Sequence, residues 1–175
     1  MSILAGPFVV AAALLGLGGA LKAVRPSDTA HALSLTGLPA SVTLVRIGAA
    51  AELVVAAVAL TFGGTVPALL VAASFLAFLV FVLQALRSGT PISSCGCFGR
   101  VDTPPSLVHV GINAAAVAVA VGYAVDGAAP VTDVLADQPL FGAPFVLLAG
   151  IALYLTFVAL TALPKTLAET KAIQS

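Results

Sequence analysis

Five stretches of this chain are long and apolar enough to cross a lipid bilayer, and they limit the fold more than any other feature. They cover roughly residues 3–23, 44–62, 66–86, 107–125 and 140–163. A bilayer core needs about 20 mostly apolar residues per helix, and lipid offers no partner for open backbone groups. Only 8% of the residues are charged, against about 25% in a soluble domain. The sequence therefore predicts an all-α integral membrane helical bundle, with four core transmembrane helices and a fifth.

Charge content narrows the class of protein further. The formal net charge is zero, so no electrostatic argument for nucleic-acid binding exists. Residues 1–21 contain no Lys or Arg, whereas Lys22 and Arg25 follow them. A secretory signal carries its positive charge before the apolar core. We therefore expect an uncleaved first span within a single transmembrane domain, residues 1–175, surrounded by membrane lipid.

Two connections between the spans are longer than the others. In residues 24–43, Ser27 or Asp28 is suited to cap a short helix that ends near Gly37. Its mixed polar and apolar residues predict an interfacial segment lying on the membrane, with a plain loop as the alternative. Residues 87–106 form a second polar connection, which holds both cysteines of the chain.

The positions of the charges predict an orientation. In a five-span bundle every basic residue falls at one end, namely Lys22, Arg25, Arg46, Arg87, Arg100, Lys165 and Lys171. Cytoplasmic loops carry the excess of Lys and Arg. We expect a multi-pass protein of a bacterial-type inner (cell) membrane. Its N-terminus lies outside, and its C-terminus and cysteine loop are cytoplasmic.

Cys95 and Cys97 are the most reactive groups in the sequence. A Cys-x-Cys disulfide closes a very small ring, so its geometry departs from the relaxed one and favours easy reduction. Gly96 gives the backbone the freedom that such a ring needs, and Arg100 favours a thiolate. This pattern is typical of a redox pair that exchanges electrons with a partner thiol.

Two other interpretations of the same cysteines stay open. Two thiolates are suitable ligands for a soft metal ion, Cu(I) or Zn. Such a site needs further ligands, for which Asp102, His109 or a second subunit are candidates. The cysteines are otherwise two free thiols in an ordered turn, and in that case no cofactor is involved.

Three polar residues within the spans could support the cysteine loop. Glu52 lies near the middle of the second span, where a carboxylate is costly, so it should face the bundle interior. There it is either protonated or paired, and it serves as a proton relay, a contact below the loop or a structural hydrogen bond. His109 and Asn113 are four residues apart and share a helix face. His109 is a candidate thiolate partner, metal ligand or proton shuttle, or an interfacial His with a satisfied hydrogen bond. Asn113 is expected to bond across helices.

The order of these features resembles a known family. The matching stretches are Lys-Ala-Val-Arg-Pro at 22–26, Leu-Thr-Gly-Leu-Pro at 35–39, Glu52, Cys-Gly-Cys-Phe-Gly at 95–99, and Asn113. They resemble the MauE/DoxX-like redox-associated membrane proteins, and the methylamine utilisation (MauE) family in particular. The Cys-Gly-Cys-Phe-Gly block is the most specific of them.

The resemblance runs roughly from residue 14 to 125, and it implies a small bundle that matures or maintains redox partners. In the MauE family this means disulfide formation or processing of the methylamine dehydrogenase small subunit, beside a thioredoxin-like partner. A thiol–disulfide oxidoreductase activity is one expectation. A metal-binding protein and a non-catalytic scaffold subunit of a larger membrane complex are the alternatives.

One conflict follows from these expectations. Disulfides form outside the cytoplasm, whereas the charge pattern places the cysteine loop inside. A re-entrant loop, electron transfer across the bundle, the opposite orientation, or thiol handling in the cytoplasm would each resolve it.

Overall fold

The structure is a bundle of antiparallel helices. The computed structural model describes residues 2–35, 37, 41–88, 105–164, 166–167 and 170. All regular secondary structure in these ranges is helical: α1 (Ala5–Val24), α2 (Pro26–Leu35), α3 (Val42–Thr61), α4 (Thr65–Ser88), α5 (Leu107–Val125), α6 (Val131–Ala136), a 3-10 turn (Pro139–Gly142) and α7 (Ala143–Thr161).

The predicted fold class is confirmed. Among the described residues, α1, α3, α4, α5 and α7 are long and apolar enough to cross a membrane. α2 lies in the connection that was expected to be interfacial, and α6 with the 3-10 turn fills the connection before α7. Both cysteines lie in the segment 89–104, outside the described residues.

Helix α1 is the centre of the bundle. It contacts each of the other four long helices and packs most extensively against α3, while α4 packs most extensively against α5. Small residues bring α1 and α3 close together, as is usual between membrane helices. A Cβ at Gly16 would lie 3.2 Å from Ala56 Cβ, and one at Gly19 would lie 2.9 Å from the Ala49 carbonyl oxygen. The backbones of α1 and α3 therefore approach each other closely at these glycines.

The end of the bundle that holds the N-terminus is closed by direct contacts. The Tyr123 ring stacks on Phe8 with ring centroids 4.3 Å apart, and its hydroxyl donates to the Ala129 carbonyl at 2.7 Å. The Gly63–Gly64 turn between α3 and α4 has positive φ at both residues, and Gly64 N–H donates to the Ala128 carbonyl at 2.7 Å. This turn is thereby fixed against the loop that follows α5.

Charge is divided between the two ends of the bundle. Because the long helices alternate in direction, one end, which we call the basic end, carries Lys22, Arg25, Arg46 and Arg87 among the described residues. Asp126, Asp133 and Asp137 lie at the opposite end, where the Ser2 hydroxyl donates to the Asp126 carboxylate at 2.7 Å. α2 lies at the basic end, where its Ala32 packs on Ala85 of α4. Which end faces the cytoplasm stays a prediction.

Replacing Gly19 by Ala should destabilise the bundle. The added Cβ would meet the Ala49 carbonyl oxygen at 2.9 Å and force α1 away from α3, and overpacking of this kind costs typically about 1–3 kcal/mol. Gly48→Ala is the matched control, because a Cβ at Gly48 meets nothing within 4 Å. We expect a lowered melting temperature for Gly19→Ala in detergent and no loss for Gly48→Ala. Equal melting temperatures would show that the two helices do not approach this closely.

Candidate functional site

A buried ion pair joins α1 to α3. Lys22 Nζ lies 2.5 Å from Glu52 Oε1, and the two side chains are 6% and 13% exposed. Lys22 lies in the last turn of α1, and helical side chains lean towards the N-terminus of their own helix. The Lys22 ammonium therefore reaches back into the bundle to the level of Glu52. Arg46, on the same helix as Glu52, is exposed and is not its partner.

Sequence analysis placed Glu52 in the interior but did not find Lys22. Lys22 stands at the end of an apolar span, where a basic residue ordinarily marks the membrane interface. Its burial becomes visible only when the antiparallel register of α1 and α3 is known. The sequence signal that could have found it is the pair of glycines at positions 18 and 19, which opens α1 to close approach just before the lysine.

Helix α4 completes the surroundings of this pair. Lys22 Nζ lies 4.2 Å from the ring centroid of Phe78, which is a cation–π contact. Phe75 meets Phe78 edge to face, with the ring centroids 5.9 Å apart. Glu52 Oε2 is buried, and no described residue gives it a hydrogen bond. This oxygen can therefore accept a hydrogen bond or a proton from a donor outside the described residues.

His109 and Asn113 lie on the neighbouring face of α5. His109 is 1% exposed, and its Nδ1 lies 3.0 Å from Oγ of Ser106, the residue that begins the helix. Asn113 is one turn further along and 7% exposed. Both face the bundle interior, and they share one face of α5. The hydrogen bond to Ser106 orients the His109 ring directly below the end of the cysteine loop.

A small cavity connects these polar groups to the aromatic residues of α4. It measures about 10 Å³, and Gly18, Phe75, Phe78, His109 and Asn113 are among its lining residues. That volume is close to the minimum that holds one water molecule. Phe78 is shared, because it borders the cavity and also contacts the Lys22 ammonium. These contacts join four helices in one layer at the basic end of the bundle, which we call the polar layer. It consists of Lys22, Glu52, Phe78, His109 and Asn113.

The cysteine loop is attached above this layer. It leaves α4 after Ser88 and re-enters the described chain at Pro105, and both points lie at the basic end. Cys95 and Cys97 themselves lie outside the described residues, so their geometry with Glu52, His109 and Asn113 stays a prediction. Within the described ranges no group of three or more His, Cys, Asp or Glu side chains could hold a metal ion.

Comparison with known proteins identifies the family. A family model described as methylamine utilisation protein MauE matches residues 1–126. The chain belongs to the MauE family. No curated protein and no solved structure matches it. The family match ends one residue after α5, so it contains the whole polar layer and the cysteine loop, and α7 lies beyond it. Membership supports a multi-pass membrane protein involved in methylamine utilisation. The wider DoxX-like resemblance stays an expectation.

Removing one partner of the ion pair should destabilise the bundle more than removing both. Lys22→Met leaves the Glu52 carboxylate buried and uncompensated, and Glu52→Gln does the same to the ammonium. Breaking a buried pair in this way costs about 3–5 kcal/mol, whereas replacing both members is often close to neutral.

A double-mutant cycle on melting temperatures in detergent measures this coupling. Arg46→Met is the control, because it removes an exposed positive charge from the same end of the bundle. The buried pair would be disproved if the losses of the two single variants simply added in Lys22→Met/Glu52→Gln, or if Arg46→Met were equally damaging.

Proposed function

We propose that this protein is a membrane thiol–disulfide protein that assists the maturation of a partner protein. Cys95 and Cys97 form the exchanging pair, and a thioredoxin-like protein is the redox partner. The observation that carries the proposal is the position of the loop. The only two cysteines of the chain lie in one segment, and both described ends of that segment flank the basic end, where His109 is buried. Membership of the MauE family supports the same function.

The exchange needs no cofactor. A thiolate from one cysteine attacks a disulfide of the redox partner and forms a mixed disulfide. The second cysteine then displaces the partner's sulfur, so the loop gains a disulfide and the partner becomes a dithiol. Two electrons and two protons thus pass from the loop to the partner. A client dithiol, oxidised by the loop disulfide through the same exchange, returns two electrons and two protons to the loop. Because the chain has no further cysteine, it has no internal disulfide relay, and electrons enter and leave through this one pair.

The polar layer supplies protons and support to this exchange. His109 is the proposed proton shuttle, since a neutral imidazole has one donor and one acceptor nitrogen and its ring is held by Ser106 just after the loop. Glu52 contributes a buried carboxylate oxygen that no described residue hydrogen-bonds. Its other oxygen pairs with Lys22 and holds α1 and α3 together below the loop. Asn113 borders the same cavity as His109 and offers both a donor and an acceptor to a water there.

The client and the orientation are part of the proposal. The family's name and its cysteine block favour a protein of methylamine utilisation, with the methylamine dehydrogenase small subunit as the client that the resemblance implies. The distribution of Lys and Arg favours a cytoplasmic loop with the N-terminus outside. A client that acquires its disulfides outside the cytoplasm favours the opposite orientation.

Replacement of either cysteine should abolish client maturation and leave the bundle intact. Cys95→Ser and Cys97→Ser each remove one member of the pair, so a mixed disulfide can no longer resolve. We expect the client's oxidised form to be lost in cells, while the amount of membrane protein and its helical circular dichroism stay unchanged. Ser94→Ala is the control within the same loop. Normal client maturation in the double cysteine variant would overturn the proposal and favour a scaffold subunit, and a bound metal in reduced, purified protein would favour a Cu(I) or Zn site.

Thiol labelling in intact cells tests the orientation. With the loop in the cytoplasm, a membrane-impermeant maleimide should label Cys95 and Cys97 only after the cells are permeabilised. Labelling from outside after reduction would instead show an exported disulfide. That result would reverse the orientation and keep the redox function. The chain has no other cysteine, so the signal has one source.

A further inference from the structure

A groove lies on the outer face of α4, close to the end of that helix. It measures about 550 Å³, and the described residues that line it are Val80, Leu83, Gln84 and Arg87. These residues are spaced by three, one and three positions, which places them on one face of the helix. Val80, Gln84 and Arg87 are all exposed on the surface of the bundle. The groove therefore opens to the surrounding membrane and is separate from the polar layer.

Polarity changes along the groove in the direction that a phospholipid requires. Val80 and Leu83 lie towards the middle of the helix, and Gln84 and Arg87 lie towards its end at Ser88. The four residues extend over about 10 Å of helix axis. In a membrane, Arg87 at the end of the span would lie at the depth of the headgroups, and Val80, two turns further in, would lie at the depth of the acyl chains.

The polar end of the groove has no partner within the described part of the chain. Neither Gln84 nor Arg87 makes a hydrogen bond or ion pair with another described residue there, and the ion pair found in those ranges is that of Lys22 with Glu52. Asp126, Asp133 and Asp137 lie at the opposite end of the bundle, and Asp28 of α2, at the same end as Arg87, forms no ion pair with it. A guanidinium at a headgroup depth binds phosphate through two parallel hydrogen bonds, and the Gln84 amide can add another.

We propose that this groove binds one anionic phospholipid. Its phosphate contacts Arg87 and Gln84, and one acyl chain lies along Val80 and Leu83. Free phosphate would leave the apolar half of the groove unused, so the lipid is the occupant that fits both halves. The exposed Arg25 and Arg46 at the same end add to the attraction for a negatively charged leaflet. The lipid would also hold the point where the cysteine loop begins, because Arg87 is the residue before Ser88. The inference does not depend on the proposed thiol chemistry.

Tryptophan fluorescence can test this binding, because the chain contains no tryptophan of its own. Leu83→Trp places a reporter in the groove, and the full-length protein is reconstituted with brominated phosphatidylglycerol or brominated phosphatidylcholine, which quench tryptophan on contact. Leu155→Trp is the matched reporter. It lies on an exposed face of α7 at a similar distance from the same end of the bundle. Val80→Trp replaces the first reporter if Leu83→Trp lowers helical content.

We expect quenching at the groove reporter to show about five-fold preference for phosphatidylglycerol over phosphatidylcholine. This factor is what the attraction of one arginine to an anionic headgroup provides. Arg87→Gln in the same background should remove the preference, Arg87→Lys should retain part of it, and Leu155→Trp should show none. Excess inorganic phosphate should not displace the lipid.

Three results would overturn the inference. The first is equal quenching by the two lipids at Leu83→Trp. The second is a preference that survives Arg87→Gln or is equally strong at Leu155→Trp, because either would indicate a general attraction to the basic end. The third is displacement by inorganic phosphate, which would identify a simple anion site.

Discussion

The ion pair between Lys22 and Glu52 is the interaction on which the rest of this bundle depends. Two charges removed from water are stabilised only if they meet each other with good geometry, and here they come from different helices. Their contact fixes the register of α1 against α3, and Gly19 allows the approach that it requires. Phe78 connects α4 to this pair, because the face of its ring contacts the Lys22 ammonium. The cost of burying charge thereby becomes a constraint on how three helices assemble.

The same contacts explain how polar groups collect at one level of an otherwise apolar protein. Phe78 borders the cavity that His109 and Asn113 share, so α5 joins the arrangement through α4. Lys22 and Glu52 are placed by each other across two helices, and His109 is placed by Ser106, the residue that begins its own helix. Glu52 Oε2 remains open within this arrangement. This buried oxygen retains the capacity to accept a proton or a hydrogen bond.

Sequence reasoning reached the fold because a bilayer sets the length and composition of a spanning helix, and five stretches satisfy that requirement. It also placed Glu52 in the interior and put His109 and Asn113 on one helix face, since the cost of burial and helical periodicity are local properties. It missed Lys22 because the identity of a partner depends on the register between two helices, which no single segment contains. It missed the role of Phe78 for the same reason, because an aromatic residue in a lipid-facing span looks like any other. Cys95 and Cys97 are prominent in the sequence, yet they lie outside the described residues, so their role stays a prediction.

Helix α7 lies beyond the part of the chain that defines the family, yet it reaches the polar layer. Leu160 of α7 is 2% exposed and lines the cavity beside His109 and Asn113. The four core helices by themselves would leave that side of the imidazole and amide facing hydrocarbon, where unsatisfied polar groups are costly. Helix α7 therefore shields these polar side chains from the lipid, in addition to providing a further span. A single leucine, Leu160, thereby closes the α7 side of the cavity and leaves the polar side chains enclosed within the bundle.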